Sequence, residues 1–396
     1  MAIDATKRRR TGVGRADRAP AVAVVGGGPV GLAAAVVAAD AGARVTLIAP
    51  KAPADARTSA LLAGSVALLE RLGVWAALAP VAAPLRTLRI VDATRRLIRA
   101  PEVAFAAREI GLDAFGYNVA NAALVAALEE AVARRSIARV AARACTAAAD
   151  DDGIVIETTG RKVAAKLAVA ADGRRSRLRD SAGIAVQEWR YDQSALVCNL
   201  RHARPHRDSS TEFHTEAGPF TLVPLPGDRS SLVWVDRPAA TERRLATDAA
   251  TLAAEIEERS AGILGAIAID GPRQAFPLAG MTVRRFAAGR VMLAGEAAHL
   301  VPPIGAQGLN LGYRDVAALA DVLSDRPADP GAAACLAAYD RARRADVVSR
   351  TVAIDALNRT LLSDFLPVQG IRGLGLFLLD RVPALRRLAM RRGVAG

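Results

Sequence analysis

The feature of this sequence that most constrains its fold is a glycine-rich turn enclosed by two short apolar segments near the start of the chain. Residues 21–25 (AVAVV) predict a buried strand, GGGPVG follows at 26–31, and a helical run then leads to a second strand at 44–48. In this βαβ context the glycine pattern is typical of a unit that holds the pyrophosphate of a dinucleotide at a helix N-terminus. The opening of the chain therefore predicts a Rossmann-type unit within an α/β fold.

Three glycines of this turn have separate geometric tasks. Gly26 permits the tight turn, Gly28 lets a pyrophosphate approach the main chain, and Gly31 lets the helix pack closely on the strand. A GxGxxG pattern alone is weak evidence. Its position between a strand and a helix favours a ligand-binding turn over a chance one.

Two further segments have the same strand-to-turn-to-helix form. In LAVAADGRRSRLR (167–179) an apolar strand ends at Asp172-Gly173, a pattern that an ordinary junction explains equally well by itself. In VMLAGEAAHLVPPIGAQGLNLGYRD (291–315) a strand enters a glycine- and proline-rich loop that opens a helix. The second segment aims bare backbone N–H groups and a helix N-terminus at one electron-rich ligand, so it predicts an anion or cofactor site.

In this order and spacing, the three segments resemble the single-component, class A flavoprotein aromatic hydroxylases, in which they surround one FAD. A narrower resemblance, to the ubiquinone-biosynthesis hydroxylases within that family, is carried by RTSALLAGSVALLERLGVW (57–75), FHTEAGPFTLVPL (213–225) and RARRADVVSRTVAIDALNRTLLSDF (341–365). The wider resemblance implies the fold and FAD as cofactor. The narrower one implies a polyprenylated phenol as substrate.

The resemblance implies a monooxygenase reaction. NAD(P)H or another reductant reduces the flavin, O2 adds at its C4a position, and the distal oxygen of the resulting hydroperoxide attacks an electron-rich phenol ring. The protein supplies orientation, exclusion of water and electrostatics, while the flavin carries the redox step. The positions that match the family's cofactor contacts are Gly26, Gly28, Pro29, Gly31, Ala49, Arg57, Asn121, Asp172, Gly295, Glu296, Pro303, Gly305, Ala306, Gln307, Gly308, Leu309 and Asn310.

Three of these positions depart from the family pattern. An acidic residue that accepts hydrogen bonds from the adenosine ribose usually ends the second strand, but Ala49 stands there. At about 1.5–3 kcal/mol for a hydrogen bond to a charged group, its loss weakens FAD binding by roughly one to two orders of magnitude unless Arg57 or backbone groups compensate. Glu296 replaces an aspartate and is one methylene longer, and Asn121 stands where many relatives carry arginine.

No side chain is a clear catalytic acid or base. Tyr191 and Tyr313 could each polarise a phenol, although each is more typical of a packing tyrosine. His299 lies in the last motif, where a structural hydrogen bond is the favoured role. The helix that begins near Gly308 is expected to favour an anionic reduced flavin, because its positive end faces the pyrimidine edge.

Composition agrees with an enzyme that does not cross a bilayer. The chain has 396 residues with 52% hydrophobic content, ample for a core, and no apolar run approaches the roughly 18 residues of a membrane span. Residues 1–19 are basic and lack the apolar stretch of a secretory signal, so we expect a mobile tail and a cytoplasmic protein.

Cysteine and histidine spacing argues against a disulfide framework or a metal site. The cysteines are Cys145, Cys198 and Cys335, an odd and widely separated set without C-x-x-C spacing. His202 and His206 have i,i+4 spacing, but the intervening Pro205 argues against a helix. We therefore predict no metal.

The charge balance is strongly basic, with a formal net charge of +13. Nucleic acid is a poor partner for it, because the chain has 4% aromatic residues and no recognised binding module. An anionic membrane surface suits it better, since residues 361–390 mix leucines and phenylalanines with Arg372, Arg381, Arg386 and Arg387. A helix packed on the protein's own core with its arginines outward explains the same pattern equally well.

The motifs divide the chain into four parts. We predict a mobile tail at 1–19, a discontinuous FAD-binding domain at 20–185 plus 280–345, a β-sheet substrate domain at 186–279 and a helical C-terminal segment at 346–396. Strand-like alternation at 195–200 and 232–235, with a turn at 226–228, supports the substrate domain.

Other functions remain open at this point. A soluble aromatic-compound hydroxylase and a flavin-dependent isoprenoid reductase share the fold, and a non-catalytic member of a quinone-synthesis complex would tolerate Ala49. A halogenase is disfavoured, because none of Trp75, Trp189 and Trp234 belongs to a W-x-W motif and no lysine follows Lys166. Ring position, electron donor and oligomeric state cannot be read from the residues.

Overall fold

A computed structural model describes residues 21–51, 55–94, 101–303, 305–325, 327–362, 375, 377 and 381–394. The predicted α/β class is confirmed, with a Rossmann-type parallel sheet, a second large sheet and a helical C-terminal region. The predicted tail at 1–19 lies outside the described residues, as does Arg372.

The strands in this part of the chain begin and end as follows: β1 Ala21–Val25, β2 Arg44–Ile48, β3 Thr58–Leu62, β4 Ala83–Pro84, β5 Thr87–Asp92, β6 Val103–Ala106, β7 Gly116–Ala120, β8 Ala138–Val140, β9 Ala144–Ala149, β10 Ile154–Thr158, β11 Lys162–Ala165, β12 Leu167–Ala170, β13 Val186–His202, β14 Ser209–Thr215, β15 Gly218–Leu225, β16 Arg229–Asp236, β17 Ile267–Val283, β18 Ala287–Ala288, β19 Val291–Leu293 and β20 His299–Leu300. The helices are α1 Pro29–Asp40, α2 Ala63–Arg71, α3 Trp75–Leu78, α4 Asn121–Arg134, α5 Arg177–Ser181, α6 Pro238–Ala246, α7 Ala249–Arg259, α8 Gln307–Ser324, α9 Ala333–Leu362 and, as α10, Pro383–Val394.

A six-stranded sheet carries the dinucleotide-type turn. Its strand order is β18-β19-β12-β1-β2-β8, and every neighbouring pair from β19 to β8 is parallel. The inner strands are continuous apolar runs, and residues 22–25 and 167–170 are all buried, because helix α1 and the three-stranded sheet β11-β10-β9 pack against them. Helix α1 is apolar on every side and lies buried against this sheet, α4 and α8.

An eight-stranded sheet, β20-β17-β13-β16-β15-β14-β5-β6, forms the second layer. Side chains alternate between its two faces along each strand. On one face Phe213, Phe220 and Trp234 pack under Leu252 and Ile256 of α7. The opposite face is turned towards the first sheet, because the Arg57 guanidinium lies 5.3 Å from the centroid of the Phe276 ring.

The observed pairing differs from the predicted division at one place. Strands β5 and β6 lie within the segment 20–185, yet β5 pairs with β14 in the eight-stranded sheet, for example Thr87 with Ser209. The boundary predicted at 186 coincides with the start of β13, and the one predicted at 280 falls inside β17. Pairing between strands over 100 residues apart leaves no local signal in the sequence, so the division remains a proposal.

The C-terminal helices join the two sheets. Tyr339 on α9 donates to Leu293 O at 2.7 Å, and 19 residues later Asn358 donates from Nδ2 to Gln193 Oε1 of the large sheet at 3.0 Å. Helix α10 packs on β6 through Met390 and through Arg386, which bonds Glu109. Among the described residues, no single helix combines the length and apolar character needed to cross a membrane, and one bent pair, Ala63–Arg71 with Trp75–Val81, passes by length and composition alone.

Candidate functional site

The three sequence motifs meet at one edge of the six-stranded sheet. Strands β1, β2, β12 and β19 are parallel neighbours, so the turns at their carboxyl ends lie side by side. Ligands of open α/β sheets bind in the crevice outside these ends. The fold therefore brings the turns after Val25, Ile48, Ala170 and Leu293 to one candidate site.

In the first glycine turn, the fold requires glycine at two positions and leaves space for a side chain at a third. Gly26 has φ +125°, and a Cβ there would lie 2.1 Å from Ala171 O. A Cβ on Gly31 would lie 2.1 Å from Gly26 O. A Cβ on Gly28 meets nothing within 4 Å, so the space beside Gly28 is available to a ligand.

Two long helices point uncapped N-termini into the crevice. Helix α1 starts at Pro29 after Gly28, and α8 starts at Gln307 after Ala306, which has the left-handed φ of 56°. Neither N-terminus has a capping side chain or an acidic residue in its first turn. Backbone N–H groups with the positive end of the helix dipole favour a negatively charged or electron-rich ligand at both places.

Asp172 presents an unpaired carboxylate oxygen at the same edge. Its Oδ2 accepts from the backbone N of Arg177 at 2.9 Å, while Oδ1 is buried and has no hydrogen-bond partner among the described residues. Burial raises the pKa of this carboxyl against the opposing hydrogen bonds from Ser176 and the backbone. A buried unpaired acceptor is costly, so a donor from a bound hydroxyl fits this position.

The turn at Gly295 and Glu296 rests on a buried ionic cluster. Gly295 N donates to Asp315 Oδ2 at 2.8 Å, His299 Nε2 lies 2.7 Å from the same oxygen, and Arg343 Nε donates to Oδ1 at 2.6 Å. Burial raises the pKa of Asp315, but His299 and Arg343 outweigh burial and the pKa is lowered. The cluster fixes the turn from beneath and leaves the Glu296 side chain exposed above it.

Arg57 lies at the crevice and is oriented by an acidic neighbour, Asp55. Asp55, which the sequence analysis did not single out, accepts from Arg57 Nε at 2.9 Å and from Asn121 Nδ2 at 2.9 Å. Partial burial raises the pKa of Asp55, but these hydrogen bonds outweigh it and lower the pKa to about 2. The carboxylate thus orients Arg57, and the negative charge of Glu296 helps to raise the pKa of Arg57. The sequence signal that could have identified Asp55 is its position two residues before the predicted Arg57.

The end of β2 has a different environment from the one a ribose-binding acid would provide. Ala49 is fully buried, and its Cβ lies 3.0 Å from where a Gly27 Cβ would stand. The Arg139 guanidinium lies 3.8 Å from that same point and is held by Glu129 at 2.6 Å and 2.9 Å. Arg139 and Glu129 therefore supply polar groups near the edge where the family's acidic residue is missing.

The loop before α8 presents main chain to the crevice. Pro303, Gly305 and Gly308 are exposed, and Ala306, Gln307 and Leu309 are half-buried. A Cβ on Gly308 would meet nothing within 4 Å. Asn310 is different, because its side chain is buried and bonds Ser65 Oγ and Leu62 N at 2.6 Å and 2.9 Å, so that it ties the loop to β3 and α2.

The three candidate phenol-activating residues are already engaged or enclosed. Tyr191 OH donates to Asp355 Oδ1 at 2.7 Å, and burial with this carboxylate raises its pKa to about 12. Tyr313 lies in the core of the six-stranded sheet, where burial raises its pKa further. His299 holds Asp315, which is the structural role expected for it.

The described residues contain no group of three or more His, Cys, Asp or Glu side chains that could hold a metal ion. His202 and His206 stack edge to face at 5.8 Å between ring centroids, and each bonds backbone carbonyl oxygens. Their ring nitrogens are therefore used within the protein.

The donor set of the crevice fits a flavin dinucleotide. Open space at Gly28 and the α1 N-terminus suit a pyrophosphate, the unpaired oxygen of Asp172 suits a sugar or ribityl hydroxyl, and the exposed main chain before α8 suits a flat ring.

Comparison with known proteins agrees with this geometry. Residues 19–354 match the family described as FAD binding domain. The chain is 37% identical over 391 residues to Ubiquinone hydroxylase UbiL of Rhodospirillum rubrum, an alignment that covers 96% of this chain and 90% of the relative. It is 34% identical over 385 residues to 3-demethoxyubiquinol 3-hydroxylase of Escherichia coli, covering 93% and 97%.

Solved structures share the fold at low sequence identity. The crystal structure of p-nitrophenol 4-monooxygenase PnpA from Pseudomonas putida has a TM-score of 0.76 at 21% identity, covering 96% of this chain and 98% of that one. Klebsiella pneumoniae HpxO complexed with FAD and uric acid has a TM-score of 0.76 at 21% identity, covering 95% and 98%. At this identity the likeness extends to the fold alone.

Proposed function

Because this chain belongs to the FAD-dependent hydroxylase family that includes the ubiquinone hydroxylases, we propose that it hydroxylates a polyprenylated phenol on the path to ubiquinone. The observation that carries the proposal is the meeting of three motifs at one sheet edge, where open backbone at Gly28, an unpaired Asp172 oxygen and the uncapped α8 N-terminus lie together. The names of the two relatives above support the substrate class.

In this proposal FAD is held by the residues that the motifs bring to the crevice. Gly26 and Gly31 shape the turn that lets Gly28 and Pro29 receive the pyrophosphate, Asp172 and Glu296 face the ribityl and ribose hydroxyls, and the main chain at Pro303 and from Gly305 to Leu309 faces the flavin ring. Ala49 and Arg57 lie towards the adenosine side, and Asn121 and Asn310 act by holding Arg57 and the α8 loop in place.

When bound, FAD would supply the redox chemistry, namely the activation of O2 at its C4a position and the transfer of one oxygen atom to the phenol ring. NAD(P)H or another reductant is the expected electron donor. The chain's own residues orient the substrate and exclude water, and the α8 N-terminus stabilises negative charge on the pyrimidine edge.

We infer that the protein works at the inner face of the cytoplasmic membrane as a peripheral protein, since a polyprenyl substrate resides in lipid. Helix α10 supports this, because Leu385 and Leu388 are exposed beside the exposed Arg387, Arg391 and Arg392. A quinone-synthesis complex is a further partner that the proposal allows. Nucleic acid is not a proposed partner.

Deletion of the gene tests the function. We expect the finished quinone to fall and an under-hydroxylated polyprenylated precursor to accumulate, both measured by mass spectrometry of lipid extracts. Re-expression of the wild-type gene in the deletion strain should restore the quinone, and re-expression of the Gly28→Leu variant should not. Normal quinone together with altered catabolism of small aromatic compounds would contradict the proposal and favour a soluble aromatic hydroxylase.

A further inference from the structure

The eight-stranded sheet presents a partly exposed wall to the FAD-binding half of the molecule. The Arg57 contact with Phe276 identifies this face. Phe276 pairs with Ala195, and Ala195 pairs with Val235, so their side chains share the face. Because side chains alternate between the two faces of the sheet, the residues two positions further along each strand form a second row on the same face.

This second row places two apolar side chains beside two polar ones. Val197 pairs with Val233, Val233 pairs with Thr221, and Thr221 pairs with Glu212. All four side chains are half-buried, whereas Leu196, Trp234 and Phe220 beside them are buried under α7 on the other face. A partly exposed surface on which two valines stand next to a threonine and a carboxylate suits a ring with one polar substituent.

Glu212 is held in one orientation by its neighbours. Its Oε1 lies 2.8 Å from His214 Nε2, and Thr221 Oγ1 donates to its Oε2 at 3.4 Å. The side chain of His214 is 5% exposed and that of Glu212 is 19% exposed, so the histidine lies behind and the carboxylate lies at the surface of the wall. His214 Nδ1 has no hydrogen-bond partner among the described residues, which leaves Glu212 as the ring's contact.

A carboxylate oriented by two donors retains lone pairs for a third. Each carboxylate oxygen accepts about two hydrogen bonds, and each Glu212 oxygen has one partner here. This arrangement, a base whose direction is fixed by a second group, is the one that general-base chemistry requires.

We propose that Glu212 accepts the proton of the substrate's phenol hydroxyl, with His214 and Thr221 as its positioning residues. The inference rests on the proposed function and deepens it. The phenol O–H bond breaks and an O–H bond forms on Glu212, so the electron pair stays on the phenol oxygen and enriches the ring that is attacked. The oxygenated ring carbon then loses its own proton to the second oxygen atom of O2, which leaves as water, and Glu212 returns the first proton to the phenol oxygen. O2 and the reductant of the proposed reaction supply the redox balance.

Glu212→Gln tests this role, because the amide keeps the side chain's size and loses its basic oxygen. The FAD-loaded full chain is given O2, NAD(P)H and geranylphenol as the probe, and hydroxylated product is measured against reductant consumed. We expect kcat for hydroxylation to fall by about 10²- to 10⁴-fold, with the KM for the phenol and the bound FAD nearly unchanged. Glu212→Asp should recover part of the loss.

Glu216→Gln is the matched control, since Glu216 is an exposed acid on the turn that follows the same strand. It should hydroxylate at the wild-type rate. A Glu212→Gln protein as active as wild type would overturn the role of Glu212 and leave the proposed function standing. A drop in FAD content or melting temperature that accounts for the loss would mean that Glu212 is structural. A wild-type protein that hydroxylates no phenol would overturn both proposals.

Discussion

Gly28 tests the cofactor crevice without disturbing the fold. A Cβ on Gly28 meets nothing within 4 Å, and its φ of −80° suits any residue, so Gly28→Leu should fold. The added side chain would occupy the space assigned to the pyrophosphate. We expect flavin absorbance per chain to fall to background after reconstitution with FAD, while the far-ultraviolet circular dichroism is unchanged.

Gly31→Leu is the contrasting substitution. A Cβ there would lie 2.1 Å from Gly26 O, so the backbone of the turn must move and the variant should lose structure as well as FAD. Stoichiometric flavin on a folded Gly28→Leu protein would show that the pyrophosphate lies elsewhere.

Asp315 is expected to be the most sensitive buried charge beneath the crevice. Asp315→Asn leaves Arg343, which is 3% exposed, with Asp346 in place of two carboxylate partners, and it weakens the bond to Gly295. Removing one partner of a buried ion pair costs about 3–5 kcal/mol in unfolding free energy. Chemical denaturation at neutral pH measures this difference.

The pH dependence of that difference follows from the lowered pKa of Asp315. A carboxyl whose pKa is lowered on folding contributes stability above its unfolded pKa and loses it as pH falls through the folded value. The difference in unfolding free energy between Asp315→Asn and the wild-type protein should therefore become smaller only in strong acid. Asp340→Asn supplies a comparison, because Asp340 is a half-buried acid on α9 that accepts from Phe286 N, and an equal loss of stability there would contradict the special role of Asp315.

The site also shows how far residues can be assigned from sequence. The glycine turns, Asp172 and the α8 loop could be predicted because each belongs to a local pattern of strand, turn and helix. Arg139 and Glu212 could not, because their neighbours come from other strands: Glu212 meets Thr221, and Arg139 meets the end of β2, only after the sheets form. Asp55 did have a local signal, since it stands two residues before Arg57.

Among the elements, α10 belongs to the segment for which lipid contact and packing on the protein's own core explained the sequence equally well. Arg386 of this helix bonds Glu109 and lies 4.6 Å from the centroid of the Phe105 ring, so it holds the helix on β6. On α10 itself, Arg387, Arg391 and Arg392 are exposed beside the exposed Leu385 and Leu388. An amphipathic sequence gives a helix one apolar and one polar face, and tertiary contacts decide which face packs against the rest of the protein.

Neutralising Arg387, Arg391 and Arg392 to glutamine should weaken binding to anionic vesicles. Each arginine near such a surface contributes on the order of 1 kcal/mol, so the partition coefficient should fall by roughly two orders of magnitude at low salt. Co-sedimentation with phosphatidylglycerol vesicles at low and high salt measures it. Neutralising the exposed Arg71, Arg134 and Arg161 is the matched control, and equal effects of the two triple substitutions would make the interaction nonspecific.

At the level of the complete chain, the α/β class followed from the sequence because the βαβ unit is local and its apolar runs are strong. The layout of the large sheet did not follow. Strands β5 and β6 join it across a parallel pairing with β14, and α9 ties both sheets together through Tyr339 and Asn358. These contacts are long-range, so no single stretch of sequence specifies them.

Transfer of oxygen to a phenol by the purified protein tests the central claim most directly. The FAD-reconstituted chain is supplied with NAD(P)H, geranylphenol and isotopically labelled O2, and the product is weighed by mass spectrometry. The account predicts one labelled oxygen atom per product molecule, formed only when FAD is bound and absent with Gly28→Leu. Oxidation of the reductant with no labelled product, or a product whose added oxygen comes from water, would contradict it.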